Sequence, residues 1–248
     1  MCEAISFFIR LTHMSDQAIN KGVQQLFTEV PRTYELINHI FTFGLDIIWR
    51  KKMARAAAKG GGHLWLDVCS GTGETALNLK KLADNETKVI ALDFCEPMLR
   101  MAMKKESANN IEFAIGEAAT LPFRDETFDL ITLSFATRNI NTWQGQLQRT
   151  LCEFRRVLKK GGRFVTVETS QPRHRFLRRM FHFYVSVFIP LIGRAISGSK
   201  TPYRYLSQTI PHFYGAEEFA GILKTAGFSV VSLNRLLLGV SAIHCAVK

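Results

Sequence analysis

The chain has 248 residues, 47% of them hydrophobic and 21% charged, with a formal net charge of +11 at pH 7. That length suits one domain with insertions and buries a core without help from disulfides or metals, and the composition excludes a disordered, collagenous or disulfide-built chain. The excess positive charge calls for an acidic partner, an anionic membrane surface or nucleic acid, and charge alone does not separate the two.

Residues 1–19 read as a ragged N-terminal extension, because Glu3 comes early, positive charge follows the short apolar patch, and no small-residue cleavage site is visible. Met14 is an alternative start. Residues 20–248 read as a single domain whose front segment, 20–58, looks helical and carries Tyr34, Asn38 and the pair Trp49-Arg50.

A first strand near 64–68 then stops on an acid, Asp67, and opens into Cys69-Ser70-Gly71-Thr72-Gly73. Gly71 and Gly73 lack Cβ, so the turn can take positive φ and let a ligand approach the backbone and the free amides of the next helix. Twenty residues on, a strand near 88–93 ends on Asp93, whose carboxylate can accept hydrogen bonds from both hydroxyls of a ribose. The run Gly71 to Ala76 also fits the GxGxxA dinucleotide fingerprint, so this spacing alone leaves a nicotinamide oxidoreductase open.

Further strands are expected near 111–115, 128–134, 163–169, 228–234 and 239–247, the last antiparallel because only Leu236-Leu237-Leu238 separates it from its predecessor. Leu147, Leu151, Phe154 and Leu158 mark a helix, closed by Lys159-Lys160-Gly161-Gly162. Alternating strands and helices imply an α/β fold, a doubly wound, seven-stranded, mostly parallel sheet with an antiparallel last strand. Residues 171–216 exceed any ordinary connection and read as an insertion that serves the substrate.

The insertion is basic first, with Arg173, His174, Arg175, Arg178 and Arg179, then apolar from Phe181 to Ile192, where Pro190 is expected to break or kink the end. Counted this way it is too short to span a bilayer, and residues 173–193 either line a channel for a long apolar tail and touch an anionic membrane, or form a buried helix with a solvated basic end. No base-reading module is visible, so nucleic acid is not expected as a partner. Five cysteines without a CxxC pair suggest a reducing cytoplasm and no zinc site, and no carboxylate cluster near Ser134 suggests magnesium.

The order of Gly116-Glu117-Ala118, Leu121-Pro122-Phe123 and a strand ending on Ser134 is similar to class I S-adenosylmethionine methyltransferases. In that resemblance Asp67, Gly71 and Gly73 hold the methionine part of the cofactor, Asp93 the ribose, and Glu117 and Ala118 the adenine edge, with Thr72, Phe94 and Ser134 completing the contacts. A closer resemblance, over nearly the whole chain after residue 26, is to the ubiquinone/menaquinone biosynthesis C-methyltransferases. It rests on Tyr34 to Asn38, Thr42 to Asp46 with Trp49-Arg50, Leu66 to Gly73, Ser134 to Asn139, Glu168 to Pro172, Tyr203 to Leu206 and Gly239 to His244.

That resemblance implies S-adenosylmethionine as cofactor and a prenylated quinol as substrate, demethylmenaquinol or the related ubiquinone precursor. It implies Arg138 as the group that stabilises a developing oxyanion, with Asn139 and Tyr34 positioning ring hydroxyls and His244 or a water accepting the proton; His244 reads equally well as a core histidine. A cytoplasmic protein at the inner face of a membrane fits, and a homodimer stays open. The chain departs from the family pattern at Glu35, at Glu117 and at Ala136-Thr137, where family members often read Gly-Leu. The last departure lies beside the implied ring site and leaves the quinone headgroup open. The rival readings are a small-molecule or phospholipid N-methyltransferase and a noncatalytic lipid-binding protein of the same fold.

Overall fold

The computed structural model describes residues 31–141, 145–197 and 201–248; the expectations for residues 1–30 lie outside it. The N-terminal helices are α1 (Pro31–Phe41) and α2 (Leu45–Ala58), turned against each other at Phe43 and Gly44, both at positive φ. The scaffold continues through β1 (Leu64–Val68), α3 (Glu74–Lys80), β2 (Lys88–Asp93), α4 (Glu96–Met103), β3 (Ile111–Ile115), β4 (Phe128–Ser134), α5 (Thr137–Ile140), α6 (Gln146–Val157) and β5 (Leu158–Thr169). Then come α7 (Arg175–Ser197), α8 (Thr201–Thr209), α9 (Ala216–Thr225), β6 (Val230–Leu236) and β7 (Ser241–Val247).

The seven strands lie in the order β3-β2-β1-β4-β5-β7-β6, parallel except that β7 runs antiparallel to both neighbours. Central strands in such a sheet are covered on both faces, which is why β1 buries Trp65, Leu66, Asp67 and Val68 in succession. One face packs Phe154, Phe164, Phe219 and Leu223 under α6 and α9, and the other packs Trp49, Met53, Leu79 and Val165 under α2 and α3. Reversal of strand order between β1 and β4 puts the ligand crevice at the carboxyl ends of those strands.

Four boundaries differ from the sequence expectation. The helix ends at Val157, and Lys159-Lys160-Gly161-Gly162 builds a bulge inside β5 rather than a helix stop. The register against β4 jumps from Phe128↔Leu158 to Leu130↔Arg163, Gly161 has φ +75, and a Cβ on Gly162 would sit 2.8 Å from the Lys159 carbonyl oxygen. The last two strands each begin two residues later than expected, because Leu237 and Leu238 form a tight turn at positive φ. Pro190 lies inside α7, which runs on for 23 residues.

Among the described residues, Arg175–Ala195 is one helix long and apolar enough to cross a membrane by length and composition, where the shorter count from Phe181 to Ile192 suggested otherwise. One face of α7 is occupied: Val185 and Ile189 pack with Ile37, Phe41, Tyr203 and Ile210 into a third cluster, roofing the sheet above the crevice.

Candidate active site

The turn after β1 and the end of β2 are wired together. Asp93 Oδ2 accepts the Gly71 amide at 2.8 Å, its Oδ1 accepts the Cys95 amide at 2.8 Å, and the Ser70 amide reaches the Leu92 carbonyl at 3.0 Å. Gly71 and Gly73 have φ +56 and +81, and a Cβ on Gly73 would meet the Ala102 Cβ at 2.9 Å, so close packing against α4 excludes a side chain there. Burial pushes the Asp93 carboxyl up, against the pull of the Cys95 and Gly71 amides. Asp67 stands one layer deeper: its oxygens accept the Thr132 and Ser70 hydroxyls, both at 2.7 Å, and burial raises its pKa to about 6.

Two cavities open above these strand ends. The smaller, about 110 Å³, is lined by Gly71, Asp93, Phe94, Glu117, Ala118 and Ser134 among others. Six of the nine residues expected to hold the cofactor thus share one wall, while Asp67, Thr72 and Gly73 shape the turn from behind. The donors and acceptors fit a nucleoside: a carboxylate at the end of β2 and a glycine against which a Cβ would find open space. Ser134 Oγ is held 2.9 Å from Thr75 Oγ1, and Glu35 takes hydrogen bonds from Thr72 and from Lys105 Nζ, the latter at 2.5 Å.

The larger cavity, about 430 Å³, is apolar for most of its length, with Phe41, Phe43, Met180, Phe181, Tyr184, Leu237 and Leu238 in its walls. The polar residues in its wall are Asn38, Thr42, Asp46, Arg50, Arg138, Asn139 and Thr169. Phe135 and Asn139 line both cavities, so the two meet at the turn after β4. Phe135 itself has φ +55, a left-handed backbone that a bulky residue rarely adopts.

Arg138 Nη1 donates to Thr169 Oγ1 at 3.1 Å, while its buried Nε and the buried Asn139 Oδ1 have no partner among the described residues. Beneath them lies Glu168, which sequence reading quoted within a motif without giving it a role. Its Oε1 accepts the Thr137 amide at 2.7 Å and its Oε2 has no partner among the described residues; burial pushes the carboxyl up, and the Thr137 amide and the Arg138 charge oppose that. Glu168 thereby fixes the short helix that carries Arg138 and Asn139.

His244 does not join this group. It sits opposite Thr166 on the other face of the sheet, 1% exposed, with Nε2 2.8 Å from the Ala216 carbonyl oxygen and its ring edge-on to Phe219. Strand alternation decides this: Ile243 and Cys245 face the α2 side, so His244 faces α9. The core-histidine reading describes it, and burial holds its pKa down. Tyr34 falls on α1, but its side chain lies outside the described set.

A charged network to which sequence reading assigned no role reaches the wall of the larger cavity through Asp46 and Arg50. Asp46 accepts Arg50 Nη1 at 2.5 Å and Thr42 Oγ1 at 2.6 Å, and faces His39 Nδ1 at 2.9 Å, while Glu74 lies 3.1 Å from Arg50 and 3.6 Å from His39 Nε2. The Arg50 guanidinium also lies 5.0 Å from the centre of the Phe135 ring. His39, Asp46 and Glu74 bring ligand atoms within 4.8 Å of one another, as a metal site would, but Arg50 already supplies positive charge to both acids. The i,i+4 spacing of Asp46 and Arg50 was the one available signal; the pairing with His39 depends on how α1 and α2 fold across the glycine turn, and that with Glu74 on how α3 packs against them.

The family model for ubiE/COQ5 methyltransferases matches residues 12–248. The chain belongs to the ubiE/COQ5 methyltransferase family. It is 37% identical over 233 residues to the ubiquinone/menaquinone biosynthesis C-methyltransferase UbiE of Rickettsia felis, covering 91% of this chain and 92% of that one. It is 36% identical over 232 residues to the demethylmenaquinone methyltransferase of Lactiplantibacillus plantarum, covering 92% and 96%. Among solved structures, a SAM-dependent methyltransferase of Thermotoga maritima, described as a possible histamine N-methyltransferase, superposes with TM-score 0.66 at 18% identity over 91% of this chain and 99% of that one. Family and fold together make the protein a methyltransferase of the S-adenosylmethionine-dependent class, with the seven-stranded sheet expected from its sequence.

Proposed function

We propose that the protein methylates a ring carbon of a prenylated quinol, converting demethylmenaquinol to menaquinol or acting on the related ubiquinone precursor. The observation that carries this reading is the meeting of a cavity that holds Gly71, Asp93, Glu117 and Ala118 in its wall with a larger apolar one at Phe135 and Asn139, the Arg138 guanidinium lining the larger one beside that junction. The relatives named above act, by their names, in quinone biosynthesis.

When bound, S-adenosylmethionine supplies a sulfonium-activated methyl group. The chain's own part is to hold the donor against Asp93, Gly71, Glu117 and Ala118 and to align a ring carbon with the methyl across Phe135. The apolar walls take the prenyl tail and keep water out. A ring carbon becomes nucleophilic as a hydroxyl of the same ring loses its proton, and Arg138, which lines the larger cavity, stabilises that oxyanion with a fixed fork of donors. Asn139 and Tyr34 orient the ring hydroxyls.

The cavity opens among exposed apolar side chains: Phe43, Leu237 and Leu238 at its rim and Phe176, Met180, Phe183 and Leu191 along α7. The exposed Arg175 and Arg179 flank them. This rim suits a peripheral contact with an anionic membrane, from which a long-tailed quinol enters tail-out. Incubation of the purified protein with labelled donor and demethylmenaquinol, with the added methyl located by mass spectrometry, tests the reading. A ring C-methyl supports it; methylation of nitrogen or oxygen, or none with any demethylated quinol, overturns it.

A further inference from the structure

The mechanism above does not assign the ring hydroxyl's proton to a side chain, since Arg138 is a permanent cation and His244 lies across the sheet. The one carboxylate among the described residues of the apolar cavity's wall is Asp46, and it is coupled to an imidazole on its far side. We propose that Asp46 and His39 are the proton-accepting pair of the methyl transfer, Asp46 receiving the proton from the ring hydroxyl and His39 passing it to solvent. This rests on the quinol reading.

Three observations carry it. Asp46 is 2% exposed yet lines the cavity, paired with Arg50, whose guanidinium lies 5.0 Å from the centre of the ring of Phe135, a residue shared by both cavities. His39, by contrast, has a side chain 26% exposed, so the pair joins the buried end of the cavity to water. Both imidazole nitrogens face carboxylates, Nδ1 toward Asp46 at 2.9 Å and Nε2 toward Glu74 at 3.6 Å, so an added proton finds an acceptor on either side.

Charge balance points the same way. With His39 neutral, Asp46, Glu74 and Arg50 sum to −1, and with His39 protonated the network sums to zero. Transfer of a methyl removes the sulfonium's positive charge next door, and a proton arriving on His39 compensates for it. Asp46 is fitted to relay rather than to keep the proton. Burial alone pushes its carboxyl up, but the Thr42 hydrogen bond, the Arg50 charge and, once His39 carries the proton, the His39 charge bring it below the ordinary carboxylate range.

The step balances. The ring O–H bond gives its electron pair to the ring as its proton moves to Asp46 and on to His39. The ring carbon forms a bond to the methyl carbon while the methyl's bond to sulfur breaks, the pair staying on sulfur. The proton on the methylated ring carbon then moves to the ring oxygen, restoring the quinol, so one proton is released for each methyl transferred.

The charged groups that face His39 among the described residues are Asp46 and Arg50 on α2, Glu74 on α3, and Glu35 on its own helix with Lys105 beyond it. The test combines the pH profile of kcat with an NMR titration of ring-labelled histidines in the ligand-free protein, for the wild type, His39→Gln and Asp46→Asn. Wild-type kcat is expected to fall on the acid side through an ionisation that coincides with the His39 resonance. His39→Gln is expected to lose about 100-fold in kcat together with that limb, the low end of what a positioned base contributes, with KM for the quinol and donor affinity within about threefold. Asp46→Asn is expected to move the limb and the His39 resonance to lower pH by the same amount. Wild-type turnover together with an undiminished His39→Gln profile overturns the pair and leaves the quinol reading standing. No turnover by the wild type overturns that reading instead, and an unmoved His39 resonance in Asp46→Asn overturns the pair without any substrate.

Discussion

Replacing Asp93 by Asn separates the hydrogen bonding this carboxylate performs in the fold from the cofactor contact proposed for it. In the free protein its Oδ2 accepts the Gly71 amide and its Oδ1 the Cys95 amide, both at 2.8 Å. The variant keeps the shape and one acceptor but turns an NH₂ toward a second donor, either the Gly71 amide or a ribose hydroxyl. A hydrogen bond to a charged group contributes about 1.5–3 kcal/mol, so losing one acceptor toward the cofactor weakens binding by about 10- to 150-fold. Losing one toward the glycine turn costs about 2 kcal/mol of stability, or about 4–8 °C in Tm for a chain of this size. Calorimetric titration with S-adenosylmethionine and S-adenosylhomocysteine measures the first, and thermal unfolding without ligand measures the second. Donor affinity within threefold of wild type in a variant that folds would refute the placement of the nucleoside against Asp93.

Arg138→Lys keeps the charge and removes the fork; kcat is expected to fall about 100-fold with donor affinity unchanged, the size of effect seen when one oxyanion donor is lost, and unchanged turnover would exclude its role. Folding favours the protonated form of Asp67, whose pKa rises from 3.8 to about 6, so that contribution is present below about pH 3.8 and is lost as the pH climbs through 6. Urea unfolding of Asp67→Asn is therefore expected to gain about 2 kcal/mol on wild type between pH 4.5 and 7.5, in the absence of ligand. A Cβ on Gly193 would lie 2.2–2.6 Å from Tyr203 ring atoms, in the cluster that roofs the larger cavity. Gly193→Ala is expected to cost about 1–3 kcal/mol and to raise KM for the quinol without changing donor affinity, which melting curves and steady-state kinetics check. The double variant Phe183→Glu, Leu238→Glu is expected to abolish sedimentation with anionic vesicles and to raise KM for a long-tailed quinol much more than for a short-tailed one.

The parts of the fold set by local pattern were legible in the sequence. The first four strands fall where apolar runs and glycine turns put them, and Gly71, Gly73 and Asp93 meet because a βαβ unit leaves them no other place. Lys159 to Gly162 misled because a basic run followed by two glycines is also how helices end, and only the pairing of Phe128 with Leu158 reveals the bulge. His244 was a candidate by motif, and face parity on β7 took it to the far side, a matter that depends on where the turn at Leu237 and Leu238 sets the strand's start. The Asp46 network stayed hidden because it joins α1, α2 and α3 across 24 to 35 residues of chain, and no local pattern encodes that meeting.

A crystal structure with S-adenosylhomocysteine and a short-tailed quinol bound together tests the central claim most directly. The account predicts the homocysteine sulfur and a ring carbon facing each other across Phe135, with the nucleoside on Asp93, a ring oxygen at Arg138 and the tail running out past Leu238. A ring lodged away from Arg138, or a nucleoside seated anywhere but against Asp93, would contradict it.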